Sequence, residues 1–251
     1  MRPAETLIFI PTFNEAGNVG RLFQQIRTLH PEATLLFLDD NSPDGTGAIV
    51  DQIAREHPNV SVIHRAKKLG IGSAHKEGIR YAYDRGYDVL ITMDCDFTHS
   101  PEHIREFVAQ KDDAEIVVGS RYMRKDSLAT WNLFRKSLTH LGHFLTVTLL
   151  DMPYDASGAF RLYNLKRIDP RIFSMIGSNG YSFFFESLFI LNLNQQRIVE
   201  IPIDLPSRAQ GTSKMSWGDA RKSLEFLLKL YLRKLFDKGS LVLKNAPPAP
   251  R

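Results

Sequence analysis

Short aliphatic and β-branched runs alternate with longer amphipathic stretches through the first half of the chain. Leu7–Ile10 predicts a strand, followed by a polar loop Pro11–Asn18 and a helix to about Leu29. Thr34–Leu38 predicts a second strand, and Asp39–Gly45 leads into a helix that ends near His57. Val60–His64 and a helix over Ser73–Arg85, closed by Gly86, repeat the unit. Val89–Met93 and Ile116–Gly119 bracket a helix that starts near Pro101, a residue suited to a first turn. Such alternation predicts an α/β, Rossmann-like and mostly parallel sheet with helices on both faces. Ligands of these sheets sit beyond the carboxyl ends of the strands, so the loops there are where chemistry is sought.

After about Tyr122 the pattern changes. It predicts a long helix over Thr130–Leu150 and strand-like pieces at Ala159–Tyr163 and Arg197–Pro202. A final helix over Trp217–Phe236 has Leu224, Leu227, Leu228, Tyr231, Leu232 and Leu235 at helical spacing. Its other face carries Arg221, Lys222, Lys229, Arg233 and Lys234. The Pro/Ala-rich end from Asn245 predicts disorder.

Composition narrows the classes. The chain has 251 residues, 43% hydrophobic and 24% charged, enough for one large domain. A single cysteine, Cys95, excludes a disulfide scaffold. The net charge of +4 suits an anionic substrate or a membrane surface and is too small to point to nucleic acid. No secretory leader opens the chain, and the best apolar run, Leu138–Leu150, is broken by His140 and His143. The expectation is an intracellular, cytoplasmic protein that touches a membrane without crossing it.

Three strand-end loops are acidic: Asn14-Glu15, Asp39-Asp40-Asn41 with Asp44, and Asp94-Cys95-Asp96. Two carboxylates one residue apart, at the end of an apolar strand, suit a hard divalent cation whose shell is completed by phosphate oxygens. The plainer reading is a pair of solvated acids ahead of the next helix. Asp39-Asp40 suits a nucleotide base or ribose, while Asn, Ser, Pro and Gly beside it equally suit a turn, with Asp44 as a helix cap. Gly70-Ile71-Gly72 begins a dinucleotide fingerprint that His75 leaves incomplete. Arg65–Ala74 then reads as a basic loop able to approach phosphates. Arg121, Arg135, Arg208 and Lys214 each read first as a surface charge; with an acidic metal site they make an anion-binding set.

Together the motifs resemble family-two glycosyltransferases. The matching runs are Pro11-Thr12-Phe13-Asn14-Glu15, Asp39–Thr46, Met93-Asp94-Cys95-Asp96 and Gly119-Ser120-Arg121-Tyr122. Asp155–Arg161, Glu200-Ile201-Pro202-Ile203 and Arg208–Lys214 are similar to dolichol-phosphate mannosyltransferases. The resemblance implies a GT-A fold, a nucleotide-sugar donor and a Mg²⁺ or Mn²⁺ ion. It implies inverting transfer of a hexose, mannose from GDP-mannose first, to a polyprenyl or dolichyl phosphate. By matching motif, Pro11, Phe13, Glu15, Leu38 and Asp40 would hold the nucleoside with Asp94, and Asp94 and Asp96 the metal. Asp96, Arg121, Arg135 and Arg208 would act in catalysis, the three arginines and Lys214 on phosphates.

On this reading residues 1–214 are the catalytic domain. Residues 215–240 are an amphipathic helix for a membrane surface or a membrane-anchoring partner subunit, or one packed on the core. Residues 241–251 are a disordered tail. The enzyme would be peripheral on the cytosolic face of a membrane. Cys95 departs from the usual Ala, and Thr98 leaves a further metal contact from that position open. Three alternatives stand beside this: transfer of glucose or another hexose from a UDP-sugar, a haloacid-type phosphatase using Asp94, and a non-catalytic nucleotide- or membrane-binding module. A nicotinamide-dependent oxidoreductase suffers from the incomplete glycine fingerprint.

Overall fold

The computed structural model describes residues 6–206 and 216–244. Seven strands form one sheet in the order β3-β2-β1-β4-β6-β5-β7. The strands are β1 Thr6–Thr12, β2 Thr34–Asp39, β3 Val60–His64, β4 Val89–Thr92, β5 Ile116–Ser120, β6 Arg161–Asn164 and β7 Ile198–Pro202. All pairings are parallel except those of β6, which runs antiparallel to β4 and β5. The order reverses between β1 and β4, so the loops after these two strands flank a crevice at the switch point.

The central strands are buried on both faces, which is why β1, β2 and β4 read as nearly continuous apolar runs. One apolar layer, with Phe9 and Leu36, packs under α3 (Ile71–Asp84) and α7 (Ser182–Leu193). The other, with Ile8, Phe37 and Ile91, packs under α1 (Val19–Leu29) and α2 (Thr46–Glu56). α4 (Ile104–Ala109) follows a single turn at Pro101–His103, capped by the Ser100 hydroxyl, as the proline predicts.

The long helix α5 covers Leu133–Leu150, three residues shorter than predicted, because the Asn132 side chain accepts the Arg135 N–H and fixes the start. The pattern does not foretell α6 (Pro170–Ser174) or α7. Ten of the twelve α7 residues are buried, Phe and Leu on every side, so no amphipathic period exists to detect. α8 covers Trp217–Phe236 as predicted, opened by a reciprocal Ser216–Asp219 capping box. Leu227 and Leu230 bury against the body of the protein. The first residues of the expected tail are packed: Leu241 is wholly buried, and the Asn194 side chain binds both its carbonyl and the Leu243 N–H, while residues 245–251 lie outside the described residues.

Gly70-Ile71-Gly72 has a role other than a dinucleotide loop. A Cβ on Gly72 would stand 2.5 Å from Phe183 Cβ and 2.7 Å from the Gly180 carbonyl, and Gly70 has φ +98°. The glycines let loop 177–181 reach the start of α3, where the Ser73 N–H donates to the Asn179 carbonyl. Glu186 holds that loop by accepting from the Gly177 and Ser178 amides.

His75, which breaks the fingerprint, is 1% exposed among Phe9, Phe183 and Phe184, with neither ring nitrogen hydrogen-bonded. Burial, and then the nearby charge of Arg161, push it down to about 3 from 6.5. Folding therefore favours the neutral ring. This stability is complete above 6.5 and is lost as pH falls below it, because the unfolded chain binds the proton first. Urea denaturation should show about 2 kcal/mol lost by about pH 5 through this group. His75→Leu should flatten that slope relative to the parent, and an unchanged slope would contradict the assignment.

Candidate active site

The loop after β1 is sewn onto the loop after β2. The Thr12 hydroxyl reaches the Leu38 carbonyl and Asp39 Oδ1, both at 3.2 Å. The amides of Asn14, Glu15 and Ala16 donate to Ser42 Oγ, Thr46 Oγ1 and Asp44 Oδ2 in turn, at 2.9 to 3.0 Å. Asp44 does not cap α2, whose N-cap is Gly45; its other oxygen accepts from the Thr46 amide and hydroxyl. Burial opposes its ionised form, yet the Thr46 and Ala16 bonds win and hold it below the usual carboxylate range. Asp39 is likewise internal to the loop, taken by the Ser42 amide and hydroxyl. This leaves Asp40 to face the cleft, where it is ion-paired with the buried Arg65.

Asn14, Asn41 and Phe97 all adopt φ near +60°, one in each acidic loop. The asparagines tolerate this; Phe97 does so at a cost of about 1 kcal/mol or more, a strain of the kind stored at functional sites. It follows Asp96, whose Oδ1 accepts from both the amide and hydroxyl of Thr98, at 3.1 and 2.6 Å. Asp96 is 3% exposed, whereas the Asp94 side chain is 35% exposed. The Asp94 N–H donates to His99 Nδ1 at 2.9 Å, which makes that nitrogen an acceptor. Asp94 Oδ2, 3.9 Å from it, therefore faces a lone pair there rather than a cation. Among the described residues no group of three or more His, Cys, Asp or Glu side chains is placed to hold a metal. A two-carboxylate hard-oxygen set still fits Mg²⁺ or Mn²⁺ when the remaining positions go to a ligand's phosphates.

Two cations stand across the cleft. Arg121 donates through its backbone N–H and Nε to Asp155 Oδ2, at 3.1 and 2.7 Å. Burial alone would lower the Arg121 pKa, but the Asp155 charge overcomes it, and Asp94 also lies within electrostatic reach. The Asp155 N–H is held by Glu200, whose own pKa burial raises. Arg135 lies over the Trp131 ring, its guanidinium carbon 3.5 Å from the centroid.

These groups line one cleft of about 300 Å³. It brings together Pro11, Phe13, Glu15, Asp40, Asp94, Asp96, Arg121 and Arg135, all expected from the sequence. Leu38 does not join them: its side chain is wholly buried in the core and only its carbonyl serves the loop, through Thr12. Arg208 and Lys214 lie outside the described residues.

The structure adds residues that sequence reasoning missed. Trp131 precedes Arg135 by four residues, a spacing that could have suggested the stacked pair. Lys68 lies 4.3 Å over the Phe13 ring, and no local signal links them. Beside the cleft runs an apolar groove of about 500 Å³ between α5 and α8, and Ser157, Tyr181 and Phe184 line both. Arg161 fixes this shared wall. It is wholly buried, has no carboxylate partner among the described residues, and donates to the carbonyls of Ala156 and Phe184 at 3.0 and 2.8 Å. Carbonyl dipoles from loop and helix thus take the place of a counter-charge.

Residues 7–176 match the family described as glycosyl transferase family 2. An undecaprenyl-phosphate mannosyltransferase of Micrococcus luteus is 36% identical over 213 residues, covering 84% of this chain and 88% of the relative. A polyprenol monophosphomannose synthase of Mycolicibacterium smegmatis is 32% identical over 248 residues, covering 97% and 94%. Two solved structures, both 15% identical, share the fold. A Mycobacterium tuberculosis glucosyl-3-phosphoglycerate synthase, crystallised with Mn²⁺, UDP and glucosyl-3-phosphoglycerate, aligns over 96% of this chain and 82% of that one at TM-score 0.62. A Pyrobaculum calidifontis mannosyltransferase with GDP-Man and Mn²⁺ aligns over 97% and 66% at 0.56.

Proposed function

Because this chain belongs to glycosyl transferase family 2, with a GT-A fold and hexosyltransferase activity, we propose that it transfers mannose from GDP-mannose, with inversion, to a polyprenyl phosphate. The observation that carries the reading is the pair of adjoining spaces. An acid- and arginine-lined cleft suits two phosphorylated ligands, and the apolar groove sharing its wall suits an isoprenoid chain. The names of the two relatives support the same substrate class.

Pro11, Phe13, Glu15 and Asp40 would hold the nucleoside, with Asp40 ion-paired to Arg65. Asp94 and Asp96 would hold Mg²⁺ or Mn²⁺, which when bound offsets the charge of the departing diphosphate. Arg121 and Arg135, with Arg208 and Lys214 expected to assist, would neutralise the acceptor phosphate and bring it in line with the anomeric carbon. That phosphate is already anionic at neutral pH, so an oxygen of it attacks without a general base. The carbon–oxygen bond to the nucleoside diphosphate breaks as the new one forms on the opposite face. A lipid acceptor places the enzyme at a membrane, and we assign it to the cytosolic face. The haloacid-type alternative would leave Asp40, Arg121 and Arg135 without a part in the cleft they share.

Incubating the purified chain with Mg²⁺ or Mn²⁺, a panel of GDP- and UDP-sugars and a short polyprenyl phosphate tests this. The expected product is a β-linked mannosyl phospholipid, formed only with acceptor and lost on chelation. A preference for a UDP-sugar would overturn the donor. Binding of GDP with Mn²⁺ but no transfer would turn the protein into the non-catalytic module.

A further inference from the structure

The turn after β4 carries Asp94 and Asp96, and it holds an unfavourable backbone conformation, φ +63° at Phe97. Such a turn keeps its shape only where the contacts around it over-determine it. Two side chains of the turn supply such contacts. Thr98 binds Asp96 Oδ1 through its amide and hydroxyl, which fixes the second carboxylate directly. His99 works on the first acid through the main chain, because its Nδ1 accepts the Asp94 N–H at 2.9 Å. That bond joins residue 94 to residue 99 and closes the turn around Phe97. Between the two acids, Cys95 is buried in the core.

The His99 ring is itself held from outside the turn. It is 4% exposed and stacks on Phe160, with ring centroids 4.9 Å apart at 23°. Phe160 is wholly buried, packs on Phe107 at 4.4 Å between centroids, and accepts the Gly119 N–H through its carbonyl at 3.0 Å. Beside it the Thr92 hydroxyl donates to the Ala159 carbonyl at 2.6 Å. The acceptor nitrogen of His99 is therefore anchored to the end of β4, the end of β5 and the start of β6. A ring packed in this way cannot follow the turn if the turn opens. The residue type also fits. A carboxylate here would add negative charge beside Asp94, while lysine or arginine would offer no lone pair and would neutralise the acid a cation needs.

We propose that His99 is a positioning residue for the divalent cation: its Nδ1, fixed against Phe160, holds the Asp94 main chain so that the Asp94 carboxylate is presented to the same ion as that of Asp96. This role rests on the cation proposed above for the two acids. It assigns to His99 no contact with the ion itself.

Two substitutions separate the nitrogen from the ring. His99→Asn keeps an acceptor oxygen near the place of Nδ1 and gives up the stack. His99→Phe keeps a stacking ring and gives up the acceptor. Binding of Mn²⁺ to the full chain with saturating GDP, followed through the paramagnetic resonance signal of the free ion, compares them with the parent. His99→Phe should raise the Mn²⁺ dissociation constant by about 10-fold or more, the range that loss of a hydrogen-bond partner behind a metal ligand brings. Should His99→Phe not fold, His99→Leu, also without an acceptor, should show the same loss. His99→Asn should recover most of the parental affinity. Parental affinity in the variant without an acceptor, or an equal or greater loss in His99→Asn, would overturn the proposal, since the ring would then serve packing alone. A parent that binds GDP but no Mn²⁺ would remove the cation from Asp94 and Asp96, and this role of His99 with it. A parent that binds Mn²⁺ no better than His99→Phe does would remove the role of His99 and leave the cation in place.

Discussion

Asp96→Asn is expected to lower sugar transfer at least ~100-fold while barely changing stability. The separation of the two effects follows from how Asp96 is held. Its Oδ1 takes both bonds from Thr98, and an asparagine keeps an oxygen in that place. The turn, including Phe97 at its positive φ, can therefore form as before. What disappears is the negative charge on a 3% exposed side chain beside Asp94, the property a divalent cation needs. Steady-state rates with saturating donor and acceptor, beside thermal unfolding, make the comparison. A near-parental rate would remove Asp96 from the metal site. Asp94→Asn, on the more exposed partner, is expected to weaken binding of GDP with Mn²⁺ as well as the rate.

The second large effect is expected at Arg121. Arg121→Ala leaves the Asp155 carboxylate, 0% exposed, without its counter-charge, and should cost about 3 kcal/mol of stability. It should also cost about 100-fold in transfer through loss of a phosphate-neutralising charge. A double variant separates the two roles. Asp155→Asn added to Arg121→Ala removes the stranded charge, so most of the stability should return while the rate stays low. Urea denaturation and kinetics on the four proteins of this cycle supply the check. Recovery of the rate together with the stability would mean that Arg121 serves the fold alone.

The acidic loops were legible because both signals are local. A strand that ends in Asp94-Cys95-Asp96 places its acids at a sheet rim wherever the strand sits in the sheet. The same holds for Pro11–Glu15 and Asp40. Leu38 does not line the cleft because it belongs to the strand and not to the loop: its side chain points into a core that its own apolar run had already announced. α7 was not legible, since a helix apolar on every side carries no period.

The sequence by itself determined the alternation of strands and helices, the acids at three strand ends and the amphipathic last helix. These follow from residue order over a few positions, through propensity and the period of burial. Only the tertiary structure decided that Asp40 pairs with Arg65, Arg121 with Asp155, and Lys68 with Phe13, or that Arg161 joins the 156 loop to α7. Apart from Ala156, five residues before Arg161, those partners lie 23 to 55 residues apart, and no local pattern encodes them. The reversal of strand order between β1 and β4 gathers the three acidic loops into one cleft, and the packing of α5 on α8 sets an apolar groove against its wall.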